Sequence, residues 1–489
     1  FKYCTHDPRA RGVIEKSLRY VIPRIKDHPA LHSICLSNEP LATNLTGCAV
    51  SAKAWPEWLV KRHGDIATLN RHWGTEYDGF AEIPIPGAEF KSSPMTVDFV
   101  RFNQETFAEF HAWMAGVIRG IAPDLPVHAK IMMSAHFGRG LHGMWSVSPE
   151  LFAEFSQYNG NDCCNWSRRG GDWSTGWAGM ESGYDFQRSM ADMPVFNSEN
   201  HMIIDRDHNV ISPDHLYTEL WQGAIHGQSS TTFWVWERTS AFTNATSGGI
   251  LHRPDGVEAL GHCNLDLNRL AAEVTTIQRV APEVGIFWSA SSIIQGDTHR
   301  LAMARAYEAA AFLGVQLGFV TERRLEALAR GETKRPLDTL KVLLVPQVTH
   351  LSPEARAGLA KLSKRIKVIV VGDAPTMDEY GRQATGPLEL AALPLPDDAG
   401  KLFEILAKNA PSWGVRPLVP ITDEAGKPLF GVEVRAAKHN GQRVASICNL
   451  LRAPRTIDLG AASTDLISGR KLPGQFTLDP LKPVLLRLP

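Results

Sequence analysis

The stretch LHSICLSNEP, residues 31–40, decides how this chain is read. Residues 31–37 form an apolar run of strand length, and the run ends in Asn38, Glu39 and Pro40. Proline does not continue a central strand, so the strand stops where a glutamate stands. Parallel α/β folds build their sites at this edge, where the strands finish. Working outward, four further runs read as strands: residues 127–134 (VHAKIMMS), 161–166 (NDCCNW), 194–198 (PVFNS) and 230–236 (STTFWVW). Between and around them, residues 11–26, 98–121, 149–157, 183–191, 213–227 and 258–280 have helical spacing of apolar residues. Repeated strand–helix units predict a parallel sheet.

Five strands fall short of the eight of a (β/α)8 barrel. At about 250 residues per barrel, three units of roughly 90 residues in all are expected before Phe1. The chain opens on Phe rather than Met and shows no signal peptide, so it reads as a fragment or processed product. After Pro282 the texture changes. Apolar strands at 284–289, 315–321, 341–347 and 367–373 alternate with helices at 298–313, 322–330 and 353–364. That is a doubly wound pattern. Its first strand leads into WSASSIIQGD, which lacks GxGxxG, so no nucleotide is expected there. From about residue 415 short strands alternate with turns, and Asn440-Gly441 signals a hairpin. The predicted class is α/β: a TIM barrel without its first three units over 1–282, a flavodoxin-like domain over 283–413 and a β-sandwich over 414–489.

Composition narrows the function. With 489 residues, two or three domains are expected. Lys+Arg total 51 against 52 Asp+Glu, with no basic cluster, so no nucleic acid partner is expected. No apolar run reaches about 18 residues, so no membrane span is expected. The seven cysteines are scattered without CxxC, and HExxH is absent. Neither a zinc site, a disulfide framework nor any other cofactor is expected. Cys163 and Cys164 read as small apolar residues of a buried strand, and reduced thiols suit the cytoplasm. Eleven of the 13 Trp lie between Trp55 and Trp236. Such rings pack against the apolar face of a pyranose, or else fill a core.

Cleaving a glycosidic bond with retention needs two carboxyl groups about 5–5.5 Å apart. Two glutamates stand at predicted strand ends: Glu39, and Glu199 in MPVFNSEN (residues 193–200). Asn38, beside the first, can hold a sugar 2-hydroxyl. His128 and Lys130 alternate on one strand face and read as barrel-interior packing.

Asn-Glu ending one strand and Glu ending another three strands later resembles the clan A glycoside hydrolases. Finer likeness lies in His28-Pro29-Ala30-Leu31, LNRHWGTEY (69–77), APDLP (122–126), Trp221-Gln222, His226-Gly227 and FWVW (233–236). These resemble glycoside hydrolase family 42, the β-galactosidases with a trimerisation domain. The resemblance implies Glu39 as acid/base and Glu199 as nucleophile. It implies Trp236 as the floor of the sugar subsite, Glu237 as a hydroxyl acceptor, and Asn165, Trp166 and His201 nearby. It implies a β-linked carbohydrate substrate and a homotrimer. The chain departs from the family at Asn38-Glu39-Pro40, where Tyr is usual after Asn-Glu, at Glu237, where Arg is usual, and at Cys163-Cys164-Asn165-Trp166-Ser167. The expected activity is therefore a retaining, β-galactosidase-like exo-glycosidase. A β-mannosidase, a β-glucosidase, an endo-acting polysaccharidase and a non-catalytic or inactive carbohydrate binder stay open beside it.

Overall fold

The computed structural model describes residues 3–41, 49–86, 93–133, 146–165, 170–203, 211–237, 249–332, 337–386 and 388–489. Its first sheet is parallel and runs in chain order. The strands are β1 (Ile34–Asn38), β2 (Val127–Lys130), β3 (Asn159–Asn161), β4 (Val195–Asn200) and β5 (Gln228–Phe233). β1 pairs with β2, β3 with β4 and β4 with β5, and an Ile131–Asn161 bridge joins the two groups. Among the described residues no pairing closes β5 onto β1.

The helices around this arc are α1 (Pro8–Ile25), α2 (Ala49–His63), α3 (Ile66–Trp73), α4 (Pro94–Arg119), α5 (Pro149–Phe155), α6 (Ala178–Met190), α7 (Pro213–Ile225), α8 (Pro254–Arg269) and α9 (Ala271–Gln278). Four of them start alike. Asp7-Pro8, Ser93-Pro94, Ser148-Pro149 and Ser212-Pro213 each put a side-chain oxygen on a first-turn N–H and a proline inside the start. The cap satisfies an orphan donor, and the proline gives up an N–H that has no helical partner.

All five predicted strands have counterparts, but the third is displaced. Residues 161–166 were expected, whereas the strand is Asn159-Gly160-Asn161. Hydrophobic patterning cannot read so polar a strand. Its logic is steric: a Cβ at Gly160 would stand 2.4 Å from the Ala129 carbonyl oxygen and 2.5 Å from the His128 ring. Cys163 and Cys164 therefore follow the strand, the first buried and the second half-buried. The expected helix over 258–280 breaks at Leu270 into α8 and α9, and α2 and α3 were not anticipated. Inside the arc, the rings of His32, Tyr158, Phe196 and His128 contact one another. Burial holds His128 down to about 4, so it packs as a neutral ring.

The second sheet is parallel, in the order β10-β9-β8-β6-β7. Its strands are β6 (Val284–Trp288), β7 (Leu317–Thr321), β8 (Val342–Pro346), β9 (Lys367–Val371) and β10 (Ala391–Leu393). Helices α10 (Ala290–Gln295), α11 (Thr298–Ala310), α12 (Glu322–Arg330), α13 (Pro353–Leu362) and α14 (Ala399–Asn409) accompany it. β6, β7 and β8 are buried throughout, which is why their sequences are continuous apolar runs. β10 and α14 were not anticipated.

The C-terminal strands are antiparallel: β11 (Val432–His439), β12 (Gln442–Asn449), β17 (Val484–Leu488), β14 (Ser463–Asp465) and β15 (Lys471–Leu472) form one sheet. β13 (Arg455–Asp458) and β16 (Gln475–Leu478) form another. Asn440 and Gly441, at φ 48° and 80°, make the two-residue turn between β11 and β12, as the sequence predicts. This unit docks on α7, where Trp221 Nε1 donates to Ser446 Oγ at 3.0 Å and Thr218 Oγ1 to the Leu481 carbonyl at 2.8 Å. Among the described residues no helix is long and apolar enough to cross a membrane.

Candidate active site

The C-terminal ends of β1, β2 and β4 converge on one charged cluster. Glu39 follows β1 directly, and its N–H donates to the Lys130 carbonyl at 2.9 Å, which continues the β1–β2 ladder by one residue. Ser37, two residues earlier, shares a 2.8 Å hydrogen bond with His111 Nε2 on α4. Burial holds His111 down to about 4. Its Nδ1 lies 2.8 Å from the Phe107 carbonyl, so the neutral ring donates there and accepts from Ser37. Glu199 is the penultimate residue of β4. Asn197 fixes that strand end: its Nδ2 donates to the Cys163 carbonyl at 2.7 Å and the Tyr184 hydroxyl at 2.8 Å, and its Oδ1 accepts the Glu199 N–H at 3.3 Å.

Lys130 joins the two carboxylates. Its ammonium is 3.3 Å from Glu39 Oε1 and touches Glu199 Oε2. Two oxygens within hydrogen-bonding range of one nitrogen lie no more than about 6.5 Å apart. The Lys130 side chain is 2% exposed, Glu199 14% and Glu39 37%, so the carboxylates open to solvent while the cation sits beneath them. His201 Nε2 is 3.2 Å from Glu199 Oε1, and its ring faces that of Trp234 at 5.9 Å between centroids. Asp162, one residue past β3, has an oxygen shut off from solvent without a hydrogen bond of good geometry. Burial pushes its carboxyl up to about 7, with Lys130 opposing and Glu39 adding to the rise.

The structure thus brings together Glu39, Glu199 and His201 of the expected set. Asn38 is exposed at the end of β1. Asn165 is buried, and its Oδ1 accepts from Thr175 Oγ1. Trp236 is 46% exposed, and Glu237 beside it is exposed. Trp166 lies outside the described residues. Three members of the cluster were not on the expected list. Lys130 reads as packing from the sequence, where it falls in the middle of the expected strand 127–134; the structure ends β2 at Lys130, across from Asn38. Asp162 was hidden by the displaced third strand. Trp234 lies beyond the last residue of β5, where strand parity no longer tells which ring turns toward the site.

A carboxylate pair at the C-terminal edge of a parallel sheet is an arrangement that glycoside hydrolysis can use. The chain belongs to glycoside hydrolase family 42, whose profile, described as Beta-galactosidase, matches residues 1–258. Among curated proteins it is 30% identical over 141 residues to Beta-galactosidase BgaB of Geobacillus sp., a match covering 27% of this chain and 21% of that protein. It is 21% identical over 299 residues to Beta-galactosidase Pbg of Clostridium perfringens, covering 57% of this chain and 40% of that one. The chain therefore spans well under two thirds of these relatives. Among solved structures, an apo exo-carrageenase of family 42 from Bacteroides ovatus superposes with a TM-score of 0.84 at 22% identity, covering 99% of this chain and 70% of that one. A catalytic mutant of Gan42B, a family 42 beta-galactosidase from G. stearothermophilus, gives 0.80 at 15% identity, covering 99% and 82%.

Proposed function

We propose that this chain carries the catalytic pair of a retaining β-galactosidase-like exo-glycosidase, with Glu199 as nucleophile and Glu39 as acid/base. The observation that carries the reading is the shared contact with Lys130, which limits the carboxylate separation to about 6.5 Å. Retention needs about 5–5.5 Å, whereas inversion leaves room for a water at about 6.5–9.5 Å. In the first step Glu199 attacks the anomeric carbon and protonated Glu39 gives its proton to the leaving oxygen. In the second, Glu39 takes a proton from water as that water displaces Glu199. Lys130 sets a positive charge against Glu199, and Trp234 with His201 offers an aromatic wall for a sugar ring. Trp236 is proposed to floor the sugar subsite, and Asn38 and Glu237 are proposed to meet sugar hydroxyls. Asn165 and Trp166, past β3, are proposed to shape that side of the pocket.

The likeness in fold to an exo-carrageenase suggests a second substrate reading, carrageenan oligosaccharides. We also propose that the five-stranded arc is part of a (β/α)8 barrel. In support, Cys35 and Asn38 on β1 are exposed, whereas barrel strands are covered on both faces. The three domains of 1–282, 283–413 and 414–489, and a homotrimer, belong to the same proposal.

The test is chemical rescue in the full-length protein with activated aryl β-galactosides. Glu199→Ala should lower kcat on the order of 10³-fold or more. Azide should restore turnover and yield the α-galactosyl azide, since azide enters where the nucleophile stood. Glu39→Ala should be rescued to the β-galactosyl azide. Full activity in Glu199→Ala, or the opposite stereochemistry in either rescue, rejects the assignment. Comparing galactosides with carrageenan oligosaccharides separates the two substrate readings.

A further inference from the structure

A second group of ionisable side chains lies away from the glutamate pair, where α6 and the end of α7 meet β11. α6 carries Glu181 and Asp185 four residues apart, hence on one face. His226 caps α7. β11 brings Glu433 and Arg435, two residues apart and so on the same side of the strand. All five are buried. His226 Nε2 is 3.2 Å from Glu181 Oε2 and 3.1 Å from Glu433 Oε1, while its Nδ1 is 3.2 Å from Asp185 Oδ1. Gln222 Nε2 donates to the other two glutamate oxygens, Glu181 Oε1 at 3.1 Å and Glu433 Oε2 at 2.6 Å. Glu181 Oε2 is left shut off from solvent without a hydrogen bond of good geometry, aimed at the imidazole.

We propose that this cluster is a structural divalent-metal site, with zinc the best match, ligated by His226 Nε2, Glu181 Oε2 and Glu433 Oε1. Three observations carry it. Donors about 2.0–2.1 Å from a tetrahedral zinc stand about 3.3 Å from one another, and the imidazole nitrogen stands 3.2 and 3.1 Å from the two carboxylate oxygens. Asp185 Oδ1 stands 3.2 Å from the far ring nitrogen without a hydrogen bond of good geometry, in the position from which a carboxylate orients a metal-bound imidazole. The formal charges also favour a bound cation. Three carboxylates face Arg435, which is 3.0 Å from both Asp185 and Glu433, and the Arg188 guanidinium also acts on Asp185. With a neutral imidazole this leaves an uncompensated negative charge in a buried place, which is costly. A metal ion offsets it; without one, the cluster must hold an extra proton. Cys448, buried and directly across from Glu433 in the β11–β12 register, is a candidate for a fourth ligand.

The site joins the barrel helices to the C-terminal sandwich and is independent of the reading of Glu39 and Glu199. The test is elemental analysis of the untagged protein, purified without chelator, and of the same protein stripped and re-fed Zn²⁺ or Co²⁺. About one equivalent per chain is expected. Stripping should lower Tm, one equivalent of zinc should restore it, and cobalt should give tetrahedral d–d absorption. Glu181→Gln and His226→Gln should lose the metal. Should either fail to fold, Cys448→Ser is the second probe: a folded protein whose cobalt spectrum lacks the thiolate charge-transfer band supports the fourth ligand. No bound metal together with an unchanged Tm on adding zinc overturns the proposal. So does metal uptake that is undiminished in folded Glu181→Gln.

Discussion

At the scale of single residues, the backbone of Glu39 is the most constrained point of the site. It stands at φ 44°, in the left-handed region, immediately before Pro40. A residue with a Cβ there costs about 1–2 kcal/mol, and a following proline narrows the choice further. Strain of this kind gathers where a side chain must be aimed, and here the bond from Glu39 N–H to the Lys130 carbonyl holds it. Glu39→Gly should therefore be more stable than Glu39→Ala by about 1 kcal/mol in urea unfolding. Equal stability would mean that the turn relaxes. Lys130 is the other residue-scale determinant. Replacing it by Met leaves two carboxylates facing each other with no cation between them. kcat/KM for an activated aryl β-galactoside should then fall about tenfold or more. An unchanged kcat/KM would show that Lys130 serves packing alone.

At the scale of elements, α7 turns a carboxyl toward the back of β4. Glu219 is fully buried, both of its oxygens lack hydrogen-bond partners of good geometry, and Asn200 is its neighbour on the strand. Burial pushes it up to about 8, so it is neutral at pH 7. The folded protein then holds a proton there that the unfolded chain releases near pH 4.5. Stability from this group is full below that pH and falls as pH rises toward 8. Glu219→Gln keeps the shape and removes the titration. Its Tm should fall less than the wild type between pH 5 and pH 9 in thermal melts. Parallel curves would place the titration elsewhere. The helix starts were legible because Ser-Pro and Asp-Pro are local signals that need no tertiary partner. β3 was not legible, because what makes Asn159-Gly160-Asn161 a strand is the close approach of Ala129 and His128 to Gly160.

At the scale of the whole molecule, buried polar groups tie the units together. Asp98 on α4 accepts from Trp73 Nε1 at 2.8 Å and the Tyr380 hydroxyl at 3.1 Å, and it pairs with His63 Nε2 at 2.9 Å. It so links α2, α3 and α4 to the loop after β9. Its carboxyl is held below the usual range, because His63 and Arg62 outweigh the burial that would raise it. Asp98→Ala removes the acceptor of all three donors and should cost about 3–5 kcal/mol. Asp98→Asn, which keeps an acceptor oxygen, should lose less. A loss below about 1 kcal/mol on denaturant unfolding of Asp98→Ala would show that the contact does not hold the units together.

The sequence by itself determined the alternation of strands and helices, the three successive textures and the two glutamates at strand ends. Each of these is written in local patterns: apolar periodicity, caps and a carboxylate where a strand stops. Only the tertiary structure decided which side chains meet. Lys130 reads as one more inward residue until β1 and β4 bring a glutamate to either side of it. Glu181, His226 and Glu433 lie on three elements, and 252 residues separate the first from the last. No spacing rule joins them, because contact across that distance depends on how the sandwich docks against α6 and α7.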